Sequence, residues 1–135
     1  MIDTSAMMFP KPDVGMARRR KQRAKKADDA RFREEVLALD GKCLDLNCEC
    51  HKGNPILDAH HIDLKGRGVI DNSPENGGTL CRYGAHRRVH DGYTKDGVYI
   101  SPDQAMLEIL EQHLGATYWR WDDQYEKLQM KVNNS

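Results

Sequence analysis

The pattern of apolar residues predicts a first helix between Asp28 and Gly41. One face of this segment carries an apolar stripe at i, i+4 and i+7 spacing, formed by Phe32, Val36 and Leu39. Either Asp28 or Asp29 can cap the helix start, and Gly41 can end the helix because glycine readily adopts a left-handed backbone. We therefore expect this helix to pack its stripe against a core.

The middle of the chain alternates between short apolar runs and turn-forming residues. Residues 56–62 predict a strand in which His60 and His61 point to opposite faces, because side chains alternate along a strand. Residues 63–75 predict a loop, residues 78–81 a second strand, and residues 85–90 a short helix that stops at Gly92. Residues 93–100 then predict a hairpin that turns at Lys95-Asp96-Gly97.

Residues 101–130 predict a helical extension. Ser101, Pro102 and Gln104 form a strong helix start, with a capping serine, a proline in the first turn and a glutamine that completes a capping box. The first buried stripe consists of Met106, Ile109, Leu110 and Leu114, and Gly115 follows it. A second set at helical spacing consists of Tyr118, Trp121, Tyr125 and Leu128. We interpret these residues as core rather than as a base-stacking surface, and His113 as a packing histidine.

The charge is distributed unevenly, although the net charge of the 135 residues is zero. Residues 11–33 contain ten Lys or Arg against three Asp. Residues 1–27 are therefore expected to form a disordered basic arm, and residues 28–135 one domain with its core at 41–92. The arm can contact nucleic acid through Arg18, Arg19, Arg20 and Lys21. The alternative for this arm is a solvated charge run without a partner.

The four cysteines stand at positions 43, 48, 50 and 81. The chain shows neither a signal peptide nor a membrane-spanning run, so we expect a cytoplasmic protein. In that compartment, clustered cysteines indicate thiolates around a metal rather than disulfides. Residues 43–55 contain few apolar groups, and a metal would explain how this segment is held together. Free buried thiols are the alternative.

Four of the six histidines lie between Leu57 and His90. Hydrolysis of a phosphodiester needs a base for water, a cation for the phosphate, and a group that holds the base in the right tautomer. Adjacent histidines on a strand can divide the first two tasks, and histidines one helical turn apart can bind the same ion. The amide oxygen of Asn76 could accept a hydrogen bond from His61 and leave its other ring nitrogen as the base.

Three segments resemble the HNH nucleases of the ββα-metal fold, especially small stand-alone phage and prophage members. These segments are Asp58-Ala59-His60-His61-Ile62, Asn76-Gly77-Gly78-Thr79-Leu80-Cys81 and His86-Arg87-Arg88-Val89-His90. The likeness covers residues 41–91. It implies an α+β fold, with a small ββα-metal core and a structural zinc site, flanked by an N-terminal basic helix and C-terminal helices. It also implies metal ligands at His60 and His86, a general base at His61 that Asn76 orients, and a further ligand at His90.

The cysteines depart from the family pattern, in which zinc usually sits on two Cys-x-x-Cys pairs. Gly84 stands where the second cysteine of the later pair is expected, and one extra residue precedes His86. Four cysteines remain and suit one tetrahedral zinc if Cys50 replaces the missing ligand. His51 is the alternative substitute.

The resemblance implies a metal-dependent endonuclease that hydrolyses DNA and leaves 5′-phosphate and 3′-hydroxyl ends. Imidazole ligands suit Mn, Ni, Co or Zn as well as Mg. DNA is the expected partner, cleavage of both strands would need a homodimer or two events, and a phage-encoded member would act in the bacterial cytoplasm. Further phosphate contacts are expected from Lys65, Arg67, Arg82, Arg87 and Arg88. The alternatives are a ribonuclease with the same site and a zinc-stapled DNA-binding module without catalysis.

Overall fold

The computed structural model describes residues 14–63 and 71–134. The chain divides into two compact units, residues 1–31 and residues 32–135, and each is considered by itself. The described part of the first unit is helical throughout. The second unit contains all of the strands found in the described residues.

The fold is α+β, with four α-helices and two antiparallel two-stranded sheets in the described ranges. The helices are α1 (Val14–Asp40), α2 (Ala85–Asp91), α3 (Pro102–Glu111) and α4 (Asp122–Asn133). The strands are β1 (Leu57–His61), β2 (Gly77–Cys81), β3 (Tyr93–Lys95) and β4 (Val98–Ile100). Two short 3-10 turns occupy Glu49–Lys52 and Pro74–Asn76. Among the helices described, none has the length and apolarity that crossing a bilayer requires.

Strand β1 pairs with β2 so that His60 lies opposite Gly78 and His61 lies opposite Gly77. Side chains from other segments pack directly against the backbone of both glycines. A Cβ built on Gly78 would lie 2.8 Å from a methyl carbon of Leu44, and one on Gly77 would overlap side chains of α1. The absence of side chains on this half of β2 therefore lets α1 and the segment after it pack directly on the ribbon.

Helix α1 buries Phe32 and Val36, as predicted, but leaves Leu39 with 56% of its surface exposed. The prediction for Leu39 is wrong because the last turn of α1 borders an open cleft, shared with Lys42 and Tyr118, instead of the core. Gly41 follows α1 with a φ of +70° and ends the helix as expected.

The start of α1 differs from the prediction. The helix begins at Val14, so the expected disorder is wrong for residues 14–27, whereas residues 1–13 lie outside the described part. Asp28 and Asp29 stand inside the helix rather than at its N-terminus. Asp28 pairs instead with Arg31 one turn later, at 2.7 Å. Lys and Arg are good helix formers, and a run of them continues the helix without an apolar face.

The hairpin and the start of α3 agree with the prediction. Strands β3 and β4 pair in antiparallel fashion around Asp96 and Gly97, whose φ angles are +53° and +80°. Positive φ at both central residues is the geometry of a tight hairpin turn. The hydroxyl of Ser101 accepts a hydrogen bond from the backbone N–H of Gln104 at 3.2 Å and caps α3.

Most of the apolar residues predicted for the C-terminal extension are buried. Met106, Ile109, Leu110, Trp121 and Leu128 belong to the core. Leu114 and Tyr118 do not, since 52% and 53% of their surfaces are exposed. Both predictions fail for one reason: α3 ends at Glu111 and α4 begins only at Asp122, so helical spacing does not apply between them.

His113 is buried between two segments, as a packing histidine should be. Its Nδ1 lies 2.7 Å from the hydroxyl of Tyr118, and its Nε2 lies 2.7 Å from the backbone oxygen of Leu44. The ring therefore ties the connection between α3 and α4 to the segment that carries the first cysteines.

A buried ion pair joins the end of α1 to the connection before α4. The guanidinium of Arg120 donates to both carboxylate oxygens of Asp40, at 2.8 and 3.0 Å, and also to the backbone oxygen of Gly77. The same carboxylate accepts from the backbone N–H of Thr79. The indole of Trp121 adds a second donor to Gly77, at 2.7 Å. Three separate segments thus meet at the start of β2.

Replacing Arg120 with Met tests this junction. The Asp40 side chain is fully buried, so removing Arg120 leaves the carboxylate with the Thr79 N–H but without a compensating positive charge. We expect a loss of about 3–5 kcal/mol in the free energy of unfolding, measured by urea denaturation. The exposed Arg87, replaced in the same way, serves as the control and should change stability by less than about 0.5 kcal/mol. Equal effects of the two substitutions would contradict the assignment.

Candidate functional site

Three histidines converge between strand β1 and helix α2. His60 comes from β1, His86 and His90 come from α2, and one ring nitrogen of each lies within 4.8 Å of the others. The Nε2 atoms of His86 and His90 are 3.1 Å apart. Two nitrogens that share one ion through bonds of about 2.1 Å would be separated by about 3.0–3.4 Å. The three predicted ligands could therefore hold one metal ion.

Burial, followed by the neighbouring rings of His86, His90 and His61, lowers the pKa of His60 from 6.5 to about 3. An imidazole must be unprotonated to bind a metal. The location of His60 therefore keeps its ring in the ligand form at any pH near neutrality.

Asp58 fixes the orientation of one of these ligands. Its carboxylate accepts a hydrogen bond from Nδ1 of His86 at 3.1 Å, which leaves Nε2 of that ring directed at the histidine cluster. Arg82 donates to the same carboxylate at 2.9 and 3.2 Å. The hydrogen bonds from Arg82 lower the pKa of Asp58 against the opposing effect of burial, so the group is ionised. A carboxylate behind a ligating histidine is a common arrangement at metal sites.

His61 occupies the other face of β1. Its ring stacks on Phe32 with a centroid separation of 4.1 Å and an angle of 5° between the planes. Its Nε2 lies 2.6 Å from the amide oxygen of Asn72. The opposite placement of His60 and His61 agrees with the alternation predicted for this strand.

The expected hydrogen bond between Asn76 and His61 is not formed. The fully buried amide of Asn76 instead binds backbone groups of the loop. Its oxygen accepts from the N–H of Asp63 at 2.8 Å, and its nitrogen donates to the carbonyls of Asp63 and Asp71 at 3.0 and 2.9 Å. Both donors are engaged, because a loop that follows a strand must satisfy its backbone groups when it is buried. Asn76 therefore holds the loop backbone in place and does not contact the ring of His61.

The four cysteines form a second cluster, in which all sulfurs lie within 4.8 Å of one another. The sulfurs of Cys48 and Cys81 are 3.5 Å apart, far longer than the roughly 2.05 Å of a disulfide bond. A tetrahedral ZnS4 group with bonds of about 2.3 Å has sulfurs about 3.8 Å apart. The cluster could hold a metal ion such as zinc, and it would tie the segment before β1 to the end of β2.

The thiols of the cluster have different acidities. Burial raises the pKa of Cys43 to about 11, and burial together with the bond to Cys48 raises that of Cys50. For Cys48, burial opposes ionisation, but the backbone of Cys50 and the guanidinium of Arg88 lower its pKa to about 7. Cys48 therefore becomes a thiolate more readily than Cys43 or Cys50.

Cys50 rather than His51 completes the cluster that could hold a metal ion. The Nε2 atom of His51 lies 2.7 Å from the backbone oxygen of Asp45, so the ring is used in a loop contact. Gly84 explains why no further cysteine is needed: a Cβ at this position would lie 2.7 Å from the sulfur of Cys81 and 3.3 Å from that of Cys48. Position 84 thus lies against the sulfurs of Cys81 and Cys48.

The basic residues predicted to contact phosphates fall into separate groups. Arg88 pairs with Asp45 beside the cysteine cluster, and Arg82 pairs with Asp58, so both have structural partners. Arg87 is exposed on α2. The residues of the N-terminal arm, all exposed on the helix of the first unit, are Arg18, Arg19, Arg20 and Lys21. Lys65 and Arg67 lie outside the described residues. Nucleic-acid binding by any of them stays a prediction.

No family model, curated protein or solved structure matches the chain. Two groups of residues could each hold a metal ion, and each group includes one residue of the ribbon, His60 on β1 or Cys81 on β2. The histidine group is flanked by His61, whose ring orientation is restrained on two sides.

Sequence reasoning missed the polar residues that orient the rings of His86 and His61. Asp58 stands two positions before His60 on β1, and alternation along the strand places both on the same face, which is a usable signal. Asn72 lies in the loop before β2, eleven residues after His61, and nothing in its spacing marks it as a partner of that ring. Its role follows only from the path of the loop.

Replacing Cys50 tests the assignment of the fourth ligand. Protein purified without added metal should contain about one zinc per chain, because the four thiolates complete a tetrahedral site. Cys50→Ala should lose most of this zinc in metal analysis, together with thermal stability. His51→Ala, one residue away, should retain the zinc. Retention by Cys50→Ala together with loss from His51→Ala would show that the histidine is the ligand.

The low pKa of His60 predicts sensitivity to acid. Between pH 6.5 and about 3, the unfolded chain protonates this residue and the folded chain does not, so the unfolded state binds more protons. Stability should therefore fall as the pH drops below 6.5, by up to about tenfold in the unfolding equilibrium per pH unit. Denaturant titrations without added divalent ions should show a weaker pH dependence for His60→Asn. Parallel curves for the two proteins would refute the effect.

Proposed function

We propose that the protein is a metal-dependent HNH endonuclease that hydrolyses phosphodiester bonds in DNA. The observation that carries this proposal is the convergence of His60, His86 and His90 beside His61, whose ring is separately restrained. A structural zinc site alone would not need a second group of metal-binding side chains. The chain order β1, β2, α2, with ligands from β1 and α2, supports a ββα-metal core.

Each side chain has a defined task in the proposed reaction. His61 accepts a proton from water, and the oxygen of that water forms a bond to phosphorus as the bond to the 3′ oxygen breaks. The leaving oxygen takes a proton from solvent, which gives 5′-phosphate and 3′-hydroxyl ends. His60, His86 and His90 would hold the divalent ion, while Asp58 keeps His86 in its ligand tautomer. When bound, the ion supplies positive charge to the phosphate and the leaving oxygen.

The basic arm supports a nucleic-acid substrate. Arg18, Arg19 and Arg20 are exposed on a helix, and release of counterions from DNA would favour their binding. The cysteine cluster, filled by zinc, would keep the β1–β2 ribbon in place near this substrate. The same chemistry would also cleave RNA, so the assay must contain both substrates.

Cleavage of supercoiled plasmid tests the proposal. The purified protein should nick or linearise DNA with Mg, Mn, Ni, Co or Zn and should stop when a chelator is added. His61→Ala should lower the rate by about 10²–10⁴-fold because it removes the general base. His51→Ala is the matched control and should cleave at the rate of the unmodified protein.

The other outcomes separate the alternatives. Salt-sensitive DNA binding without cleavage in any of these ions would identify a zinc-stapled binding module. Cleavage of RNA with intact plasmid would identify a ribonuclease. Full activity in His61→Ala would remove this residue from the mechanism.

A further inference from the structure

We infer that Asn72 is the residue that positions His61 for its role as the base, and this inference rests on the proposed function. The amide oxygen of Asn72 accepts a hydrogen bond from Nε2 of His61 at 2.6 Å. A ring that donates from Nε2 carries its lone pair on Nδ1. Asn72 therefore selects the tautomer in which Nδ1 accepts the proton of water.

Two contacts together define the position of the ring. Stacking on Phe32, with 5° between the planes, fixes the plane of the imidazole but permits both ring orientations that are related by a 180° flip about the Cβ–Cγ bond. The hydrogen bond from Nε2 to Asn72 selects one of these two orientations. Neither contact alone would place Nδ1 in a single direction.

The loop holds Asn72 rigidly enough for this task. The carboxylate of Asp71 accepts from the N–H of Ser73 at 2.9 Å, and the carbonyl of Asp71 accepts from the side chain of Asn76 at 2.9 Å. The N–H of Asn76 in turn donates to the carbonyl of Ser73 at 2.9 Å. Backbone on both sides of Asn72 is therefore anchored. Asn76 acts on the base only through this loop, one step further away.

A purely structural role for Asn72, as a tether between the loop and β1, makes different predictions. Loss of a tether lowers stability or substrate binding. Loss of a positioning residue lowers the rate of the chemical step with substrate bound, because the base is misdirected. Substrate binding is unaffected. One variant must therefore remove the hydrogen bond to the His61 ring but keep the volume of the side chain. A second variant must restore the hydrogen bond with a different oxygen acceptor.

The variants Asn72→Leu and Asn72→Asp meet these needs, with Asn54→Leu on the exposed segment before β1 as the control. We expect Asn72→Leu to lower kcat for plasmid cleavage by about 10- to 100-fold with little change in KM. Asn72→Asp keeps an oxygen acceptor and should recover most of kcat. A fall confined to KM, or equal losses in the Leu and Asp variants, would overturn the inference.

Proton-detected ¹⁵N NMR of the histidine rings provides a test that does not depend on cleavage. In mildly alkaline buffer, His61, assigned through His61→Ala, should show a proton on Nε2 and none on Nδ1. Asn72→Leu should yield a mixture of both tautomers. A proton on Nδ1 in the unmodified protein would overturn the inference even if DNA is cleaved. Failure to cleave with the expected tautomer present would instead overturn the proposed function alone.

Discussion

The register between β1 and β2 is the constraint on which the candidate site depends. Because side chains alternate along a strand, a shift of one residue would exchange the faces of His60 and His61. In the observed register, His60 faces α2 and meets His86 and His90, while His61 faces Phe32 and Asn72. The three histidines that could hold a metal ion and the restrained His61 ring thus lie on opposite faces of a single strand.

A ribbon of two strands is too small to hold this register by itself. Contacts at both ends of β2 supply the missing restraint. At its start, Arg120 and Trp121 donate to the backbone of Gly77, and at its end Cys81 belongs to the thiol cluster. The C-terminal extension and the cysteines therefore share one task, although they lie far apart in the sequence. This explains why a site made by the middle of the chain needs Arg120 and Trp121 to stay in place.

The sequence was informative where the signal is local and misleading where it depends on the path of the chain. Strand alternation and helical spacing identified the three histidines that converge, and turn chemistry identified the hairpin at Gly97 and the cap at Ser101. The role of Asn76 was misassigned because amide spacing alone does not tell whether the side chain meets a ring or the loop backbone. The prediction that Leu114 is buried was wrong because the helical spacing was extended past the end of α3.

The position of Gly84 has a consequence for how sequences of this kind can diverge. A Cβ at this position would lie so close to the sulfurs of Cys81 and Cys48 that a side chain there must either displace them or take part in the cluster itself. A cysteine at position 84 is therefore compatible with the cluster only in a chain that has already given up another thiol, such as Cys50. A change from the arrangement with Cys50 to one with a cysteine at position 84 therefore requires substitutions at both positions. A chain with only one of these substitutions would have either five crowded positions or three thiols. Residues 50 and 84 should accordingly vary together among proteins that share this ribbon.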